Sequence, residues 1–565
     1  MISLLKRMAL LLTAGLFSFT LFAQKDEVPK GWHMLDKSTT GYYGLSVDKA
    51  YSFVKAKKLK SKTVIVAVID SGIDTTHEDL KKVLWVNPGE IPNNGIDDDK
   101  NGYVDDINGW NFLGGKDIES NVEKDSYEAA RVYHKYKSKY AGKEIDPAKL
   151  SKDEAFEYAM WKRSEKEVAG ENSKQTAMEL MMVKRAYKNC VKYDSLIRAA
   201  IGKDIYTGKE LDEFKPEDAE LKKAKNSLYM MLSQNDALES TNKEFLEGFG
   251  EYVDGEEKKA EAATKAPTAY RADVVKDDYS NFGDKFYGNN NVMVSKSSAL
   301  HGTHVSGIIA ASRNNGKGMD GVADNVRIMS LRAVPDGDEH DKDIALAIRY
   351  AVDNGAQVIN MSFGKGFSPE KKWVDEAVKY AEAKGVLLVH AAGNDAKNLD
   401  STYNYPTPQL LDGTRPNNWI TVGASGDPKA GGLTANFSNY GKNEVDVFAP
   451  GVKIYSTVPG GNTYRDLQGT SMASPVVAGL AAFLLEYYPA LSARQVKMII
   501  EKSAQKPADN VKNPGDDEMV SLSELSRSGG IVNAYEAIKL ASVTKGERKL
   551  APVKPKTVVT PKKKS

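Results

Sequence analysis

Short runs of aliphatic and β-branched residues at 63–69, 326–332, 357–361, 386–390, 419–422 and 444–448 alternate along the chain with helical patterns. Runs without polar alternation bury both faces of a strand, and helices between them imply crossover connections in a parallel sheet. Between two of these runs, Ile344, Ala347, Ile348 and Ala351 share one helical face, and Gly355 ends the pattern. A second crossover helix is expected to start near Pro369 and to stop before Gly385. The expected fold class is α/β: a doubly wound, mostly parallel sheet with helices on both faces.

A chain of 565 residues can bury one large core and carry an appendage besides. Its 78 Lys and Arg against 77 Asp and Glu give no reason to expect nucleic acid or an anionic surface as partner. The N-terminus reads as a signal peptide over residues 1–23, with Lys6 and Arg7, an apolar run over 8–22 and Ala23 as a small residue for cleavage. Export follows, to the periplasm, the cell surface or the medium, and no later stretch reads as a membrane span. Cys190 is the only cysteine, so no internal disulfide forms, and none near Ala23 takes a lipid.

Residues 24–62 read as an N-terminal strap, and 63–115 and 266–542 as the two parts of one catalytic domain. Between them, 116–265 is rich in Lys, Glu, Ala and Met, with Leu180, Val183, Tyr187 and Val191 at helical spacing: a charged helical insertion. Its run Glu256-Glu257-Lys258-Lys259 reads as a solvated helix face. From 543 to 565 the chain becomes a basic, Pro-containing tail without apolar periodicity, expected to be disordered.

Three segments carry reactive groups. Asp70 ends an apolar strand at its carboxyl edge, where functional groups collect in open α/β sheets, and Ser71-Gly72 turns the chain. His301 opens a helical pattern through Val305, Ile308 and Ile309, with Gly302 leaving room beside it. Ser471 stands between Gly469-Thr470 and an apolar helical run, which places its hydroxyl at a helix N-terminus. Read singly, each has a plainer explanation: a turn, a core histidine, an N-cap. His304 lies three residues after His301, but no third ligand completes a zinc pattern.

Together the three segments resemble the signature motifs of the subtilisin family of serine peptidases, in the chain order Asp, His, Ser. The resemblance covers residues 63–107 and about 272–541. It implies a subtilisin-like fold in which Ser471 is the nucleophile, His301 the general base and Asp70 the group that orients it. It further implies that Asn394, ending the apolar run at 387–391, donates to an oxyanion. Ser362, Phe363 and Gly364 resemble the family's substrate edge, with Ala391 and Gly393 shaping the pocket beside it. The implied substrate is a protein or peptide in extended conformation, cleaved by a broad endopeptidase without an organic cofactor. Residues 24–62 are too few for a full prodomain. A silent binding protein and a narrow processing peptidase stay open as alternatives, and so does the oligomeric state.

A calcium loop is expected at 97–108, with Asp97, Asp99, Asn101, the Tyr103 carbonyl and Asp105 as ligands and Gly102 at the sharp turn. Asn108 stands where a calcium loop has a bidentate Glu, so a group such as Asp106 must complete the set.

Overall fold

The computed structural model describes residues 28–549, except 171, 236, 239 and 428–431. The signal-peptide reading and most of the tail reading lie outside the described residues.

Seven strands form the main sheet: β1 (Val64–Asp70), β2 (Gly109–Asn111), β3 (Val326–Arg332), β4 (Val358–Met361), β5 (Leu387–Ala391), β6 (Trp419–Ser425) and β7 (Val447–Pro450). Their order is β2-β3-β1-β4-β5-β6-β7, and every pairing is parallel. The reversal of strand order beside β1 is a topological switch point, which leaves a crevice at the carboxyl ends of the strands. Asp70 is the last residue of β1 and stands at that crevice.

Helices cover both faces. On one, the His301 helix (Leu300–Ala310), the Ser471 helix (Thr470–Tyr487) and the helices Ala493–Ser503 and Ala534–Val543 close the larger hydrophobic cluster. On the other, the helices Asp341–Asp353 and Lys371–Lys384 pack with Trp110, Phe112 and Trp419. The Ser471 helix is long and apolar enough to cross a bilayer by composition alone, unlike the sequence expectation. Its window is 89% buried, which makes it the central helix of the core. A hairpin of β8 (Ile454–Val458) and β9 (Thr463–Leu467), unforeseen in the sequence, lies against the His301 helix.

The segment before β1 is held tightly. Trp32 is fully buried and its indole N–H donates to the Val452 carbonyl at 2.9 Å, while Ala534 N–H donates to Leu45 O at 2.7 Å. Replacing Trp32 with alanine is expected to destabilise the fold by about 3–5 kcal/mol in urea denaturation, and a loss below about 1 kcal/mol would show that the segment is dispensable.

Residues 116–265 form helices, chiefly Glu128–Tyr140, Lys152–Ala169, Asn172–Ile201, Ala219–Gln234 and Asn242–Glu261. Part of the insertion encloses its own core of Val183, Cys190, Ile197, Tyr206, Leu228 and Phe249. The expected stripe is corrected at one position: Val191 is 42% exposed, and Cys190 faces inward instead. Near the C-terminus, Lys545 O accepts from Gln495 and Glu547 pairs with Arg494 at 2.7 Å, so chain order continues past residue 543.

Candidate active site

The strand end, the turn after it and the His301 helix meet because two glycines allow it. Gly72 has φ +121°, and a Cβ on Gly302 would lie 2.1 Å from the Gly72 carbonyl oxygen. Thr303 tightens the junction by accepting from Asp74 N–H at 2.8 Å. On the far side, the buried Arg332 guanidinium donates to the Ser71 and Val122 backbone carbonyls and to the Asn111 side-chain oxygen. With Asp70 so placed, His301 Nδ1 lies 2.7 Å from its Oδ1, which also accepts Ser71 N–H at 2.8 Å.

The His301 ring is still 37% exposed, on the groove side. Burial opposes a charge on the ring, and the Asp70 carboxylate outweighs it by charge and hydrogen bond, so the imidazole pKa stands above its ordinary value. His304 is different. It is fully buried, its Nε2 lies 3.0 Å from Arg465 O, and burial takes its pKa down to about 3. It braces the helix against β9.

Ser471 occupies the first turn of its helix. Pro475, four residues on, has no N–H to donate to the Ser471 carbonyl, and the Ser362 hydroxyl donates there at 2.9 Å instead. The Ser471 hydroxyl returns the contact by donating to Ser362 O at 2.9 Å. In this rotamer the Ser471 hydroxyl is bonded to Ser362, just beyond β4, rather than to His301. Behind the clasp, Ser474 donates to Asn360 and Asn360 to Ser362 Oγ, both at 2.9 Å and all buried.

Asn394 has a fixed orientation. Thr470 donates to its Oδ1 from N–H at 2.8 Å and from the hydroxyl at 2.9 Å, which leaves the Nδ2 amide free to face the groove. Thr470 carried no sequence signal beyond its place beside Ser471. Asn404 was also missed: its Nδ2 donates to Ala391 and Ala392 carbonyls, and its Oδ1 would lie 2.3 Å from a Cβ on Gly364. It forms the floor between the two edges, and only backbone approach reveals it.

A groove of about 540 Å³ gathers these groups. Asp70, His301, Ser471, Asn394, Ser362, Phe363, Gly364, Ala391 and Gly393 all line it. The Phe363 side chain is largely buried, with its ring centre 6.2 Å from that of His390. Such a groove can seat an extended chain beside a hydroxyl, an imidazole and an amide donor.

The acidic loop is tied together by its own hydrogen bonds. Asp97 accepts Asn101 and Gly102 N–H, and Asp105 accepts Asn94 and Gly95 N–H, so both carboxylates are engaged in turn backbone. The Asn101 side-chain oxygen accepts Tyr103 N–H, and its amide donates to Asp99 and Asp106. Asp99 does converge with other acids: oxygens of Glu90, Asp99 and Asp106 lie within 4.8 Å of one another. Glu90 Oε2 is buried without a partner, and burial pushes Asp106 up to about 6. An orphaned buried oxygen among crowded carboxylates fits a hard cation.

A model of the Subtilase family matches residues 61–521. The thermophilic serine proteinase of Bacillus sp. (strain AK1) is 44% identical over 207 residues, which are 36% of this chain and 47% of that protein. Subtilisin DY of Bacillus licheniformis is 41% identical over 214 residues, 37% of this chain and 72% of that protein. The cell wall-associated protease of Bacillus subtilis (strain 168) is 37% identical over 243 residues, 42% of this chain and 25% of that protein. The chain thus spans less than half the length of the first and third of these relatives.

Proposed function

Since the chain belongs to the subtilase family, we propose that it is an exported serine endopeptidase of broad specificity, with Asp70, His301 and Ser471 as its triad. The observation that carries this reading is the 2.7 Å contact between Asp70 and His301 in a groove shared with Ser471. Peptide lies extended between the edge at Ser362, Phe363 and Gly364 and the wall at Ala391 and Gly393, over the floor of Asn404. The Ser471 hydroxyl turns from Ser362 O toward His301 Nε2 and attacks the scissile carbonyl carbon as His301 takes its proton. The oxyanion accepts from Asn394 Nδ2 and the Ser471 N–H. His301 then protonates the leaving amine, the C–N bond breaks, and water cleaves the acyl-enzyme by the same route reversed. No organic cofactor enters. Residues 63–115 and 266–542 supply this machinery around the insertion at 116–265. Export rests on the leader pattern at 1–23 and on the cell wall-associated relative.

The test is labelling of the purified protein by a fluorophosphonate together with digestion of a peptide library. Labelling and many cleavage sequences support a broad enzyme. Labelling with one sequence means a narrow processing peptidase, and neither means a binding protein.

Calcium belongs to the same reading. Glu90, Asp99 and Asp106 would hold it, its charge relieving the carboxylate repulsion in that loop. At a calcium concentration 100 times Kd, stabilisation is about 2.7 kcal/mol, read as a higher Tm that chelator removes. Glu90→Gln is expected to lower Tm in calcium and to abolish the response to chelator; a wild-type Tm indifferent to calcium would refute the site.

A further inference from the structure

One acidic group on the groove wall has no part in the chemistry above. Glu339 is 2% exposed, and its Oε1 is buried without a hydrogen-bond partner. Two cations stand near it, yet both reach only its backbone carbonyl, Lys365 at 2.7 Å and Arg131 at 3.2 Å. Their charges are answered elsewhere: Lys365 by Glu128 and Asp341, Arg131 by Glu128 and Asp125. Burial, aided by nearby Asp338 and Asp341, pushes the Glu339 carboxyl up to about 8 despite Lys365.

Most other charges around the groove are matched. Asp70 faces His301 at 2.7 Å, Asp395 faces Lys397 at 3.8 Å, and Asp336 faces Lys124 at 4.0 Å. Glu123 and Glu339 make no direct ion pair among the described residues, and both border the groove. They share a wall, because Asp336 N–H donates to the Glu123 carbonyl at 2.8 Å, three residues before Glu339. Two acids are too few for a metal, and among the described residues the acids that converge closely enough for one are Glu90, Asp99 and Asp106. A chain lying along this wall can instead bring a cation on a flexible stem.

Resting on the peptidase reading, we propose that Glu339 is a specificity-determining residue, which selects a lysine or arginine side chain of the extended peptide substrate. The Glu339 side chain, sealed in the groove wall, turns out so that the incoming ammonium or guanidinium donates to Oε1, any proton on the carboxyl leaves to solvent, and Glu123 adds its charge toward the groove. A pair shielded from water is stronger than an exposed one, and a neutral side chain leaves Oε1 unanswered. Library digestion by the full chain, with each position varied among Lys, Arg, Gln and norleucine, tests this.

At one position kcat/KM for Lys or Arg is expected to exceed that for Gln and norleucine by at least about tenfold, mostly through KM. In Glu339→Gln the ratio is expected to fall to within about threefold, and taking it within one preparation cancels any general loss of activity. An unchanged ratio in that variant overturns the proposal. If the variant does not fold, the wild-type library decides alone, since no basic preference at any position is equally fatal. Cleavage of neutral peptides without basic preference refutes only this proposal; absence of all cleavage refutes the peptidase reading beneath it.

Discussion

Ser471→Ala is expected to abolish fluorophosphonate labelling and to lower peptide hydrolysis by about 10⁶-fold, the magnitude measured on subtilisin itself for loss of its serine. The change removes one oxygen from a part-buried contact and little else. The Ser362 carbonyl loses the 2.9 Å hydrogen bond from Ser471, but the reverse bond, from Ser362 to the Ser471 carbonyl, does not involve the altered atom. The loss of stability should therefore be on the order of 1 kcal/mol, visible as a small drop in Tm. A folded protein without turnover is the expected result. A variant that still hydrolyses peptide or still takes the label would remove Ser471 from the chemistry and leave Asp70 and His301 as a structural pair.

The parts of this site legible in the sequence are those that a long apolar run must deliver to one place. β1, β4 and β5 are buried on both faces, so their runs are unbroken, and each ends in or leads to a residue that lines the groove: Asp70, Ser362 and Asn394. β2 escaped because Gly109-Trp110-Asn111 is too short to show a period. Asn404 and Thr470 escaped for another reason. Their work is to hold Ala391, Ala392 and Asn394 by hydrogen bonds from a loop and a helix start, and no periodicity marks such contacts. For the calcium reading, spacing alone does not say which carboxylates converge and which also cap turns. Asp97 and Asp105 accept backbone N–H groups of their own loop, and Glu90, outside the motif, accepts those of Asp98 and Asp99 through Oε1 while it also converges with Asp99 and Asp106. In the insertion, a stripe running through Val191 gave way to one at Val183, Cys190 and Ile197. That is a seven-residue repeat, the spacing helices adopt when they wind around neighbours.

Asp70→Asn separates charge from geometry. Ser71 N–H donates to the same Oδ1 that faces the His301 ring, so an asparagine would keep its oxygen there and put its amide nitrogen at the buried, unpartnered Oδ2 position. Orientation survives, but the negative charge does not. In the native protein that charge holds the His301 pKa above its ordinary value against the pull of burial. The base must be neutral to accept a proton, so kcat/KM should rise as pH increases through this elevated pKa. In Asp70→Asn only burial remains, and the inflection moves to lower pH, below the ordinary histidine value of about 6.5. At the plateau the rate is expected to fall by about 10⁴-fold, the order measured on subtilisin for loss of its triad Asp, because the imidazolium formed when Ser471 gives up its proton has no counter-charge. A pH series on both proteins checks the sign. An inflection that stays in place or moves upward, or a plateau loss below about tenfold, would mean that Asp70 does not act on His301 by charge.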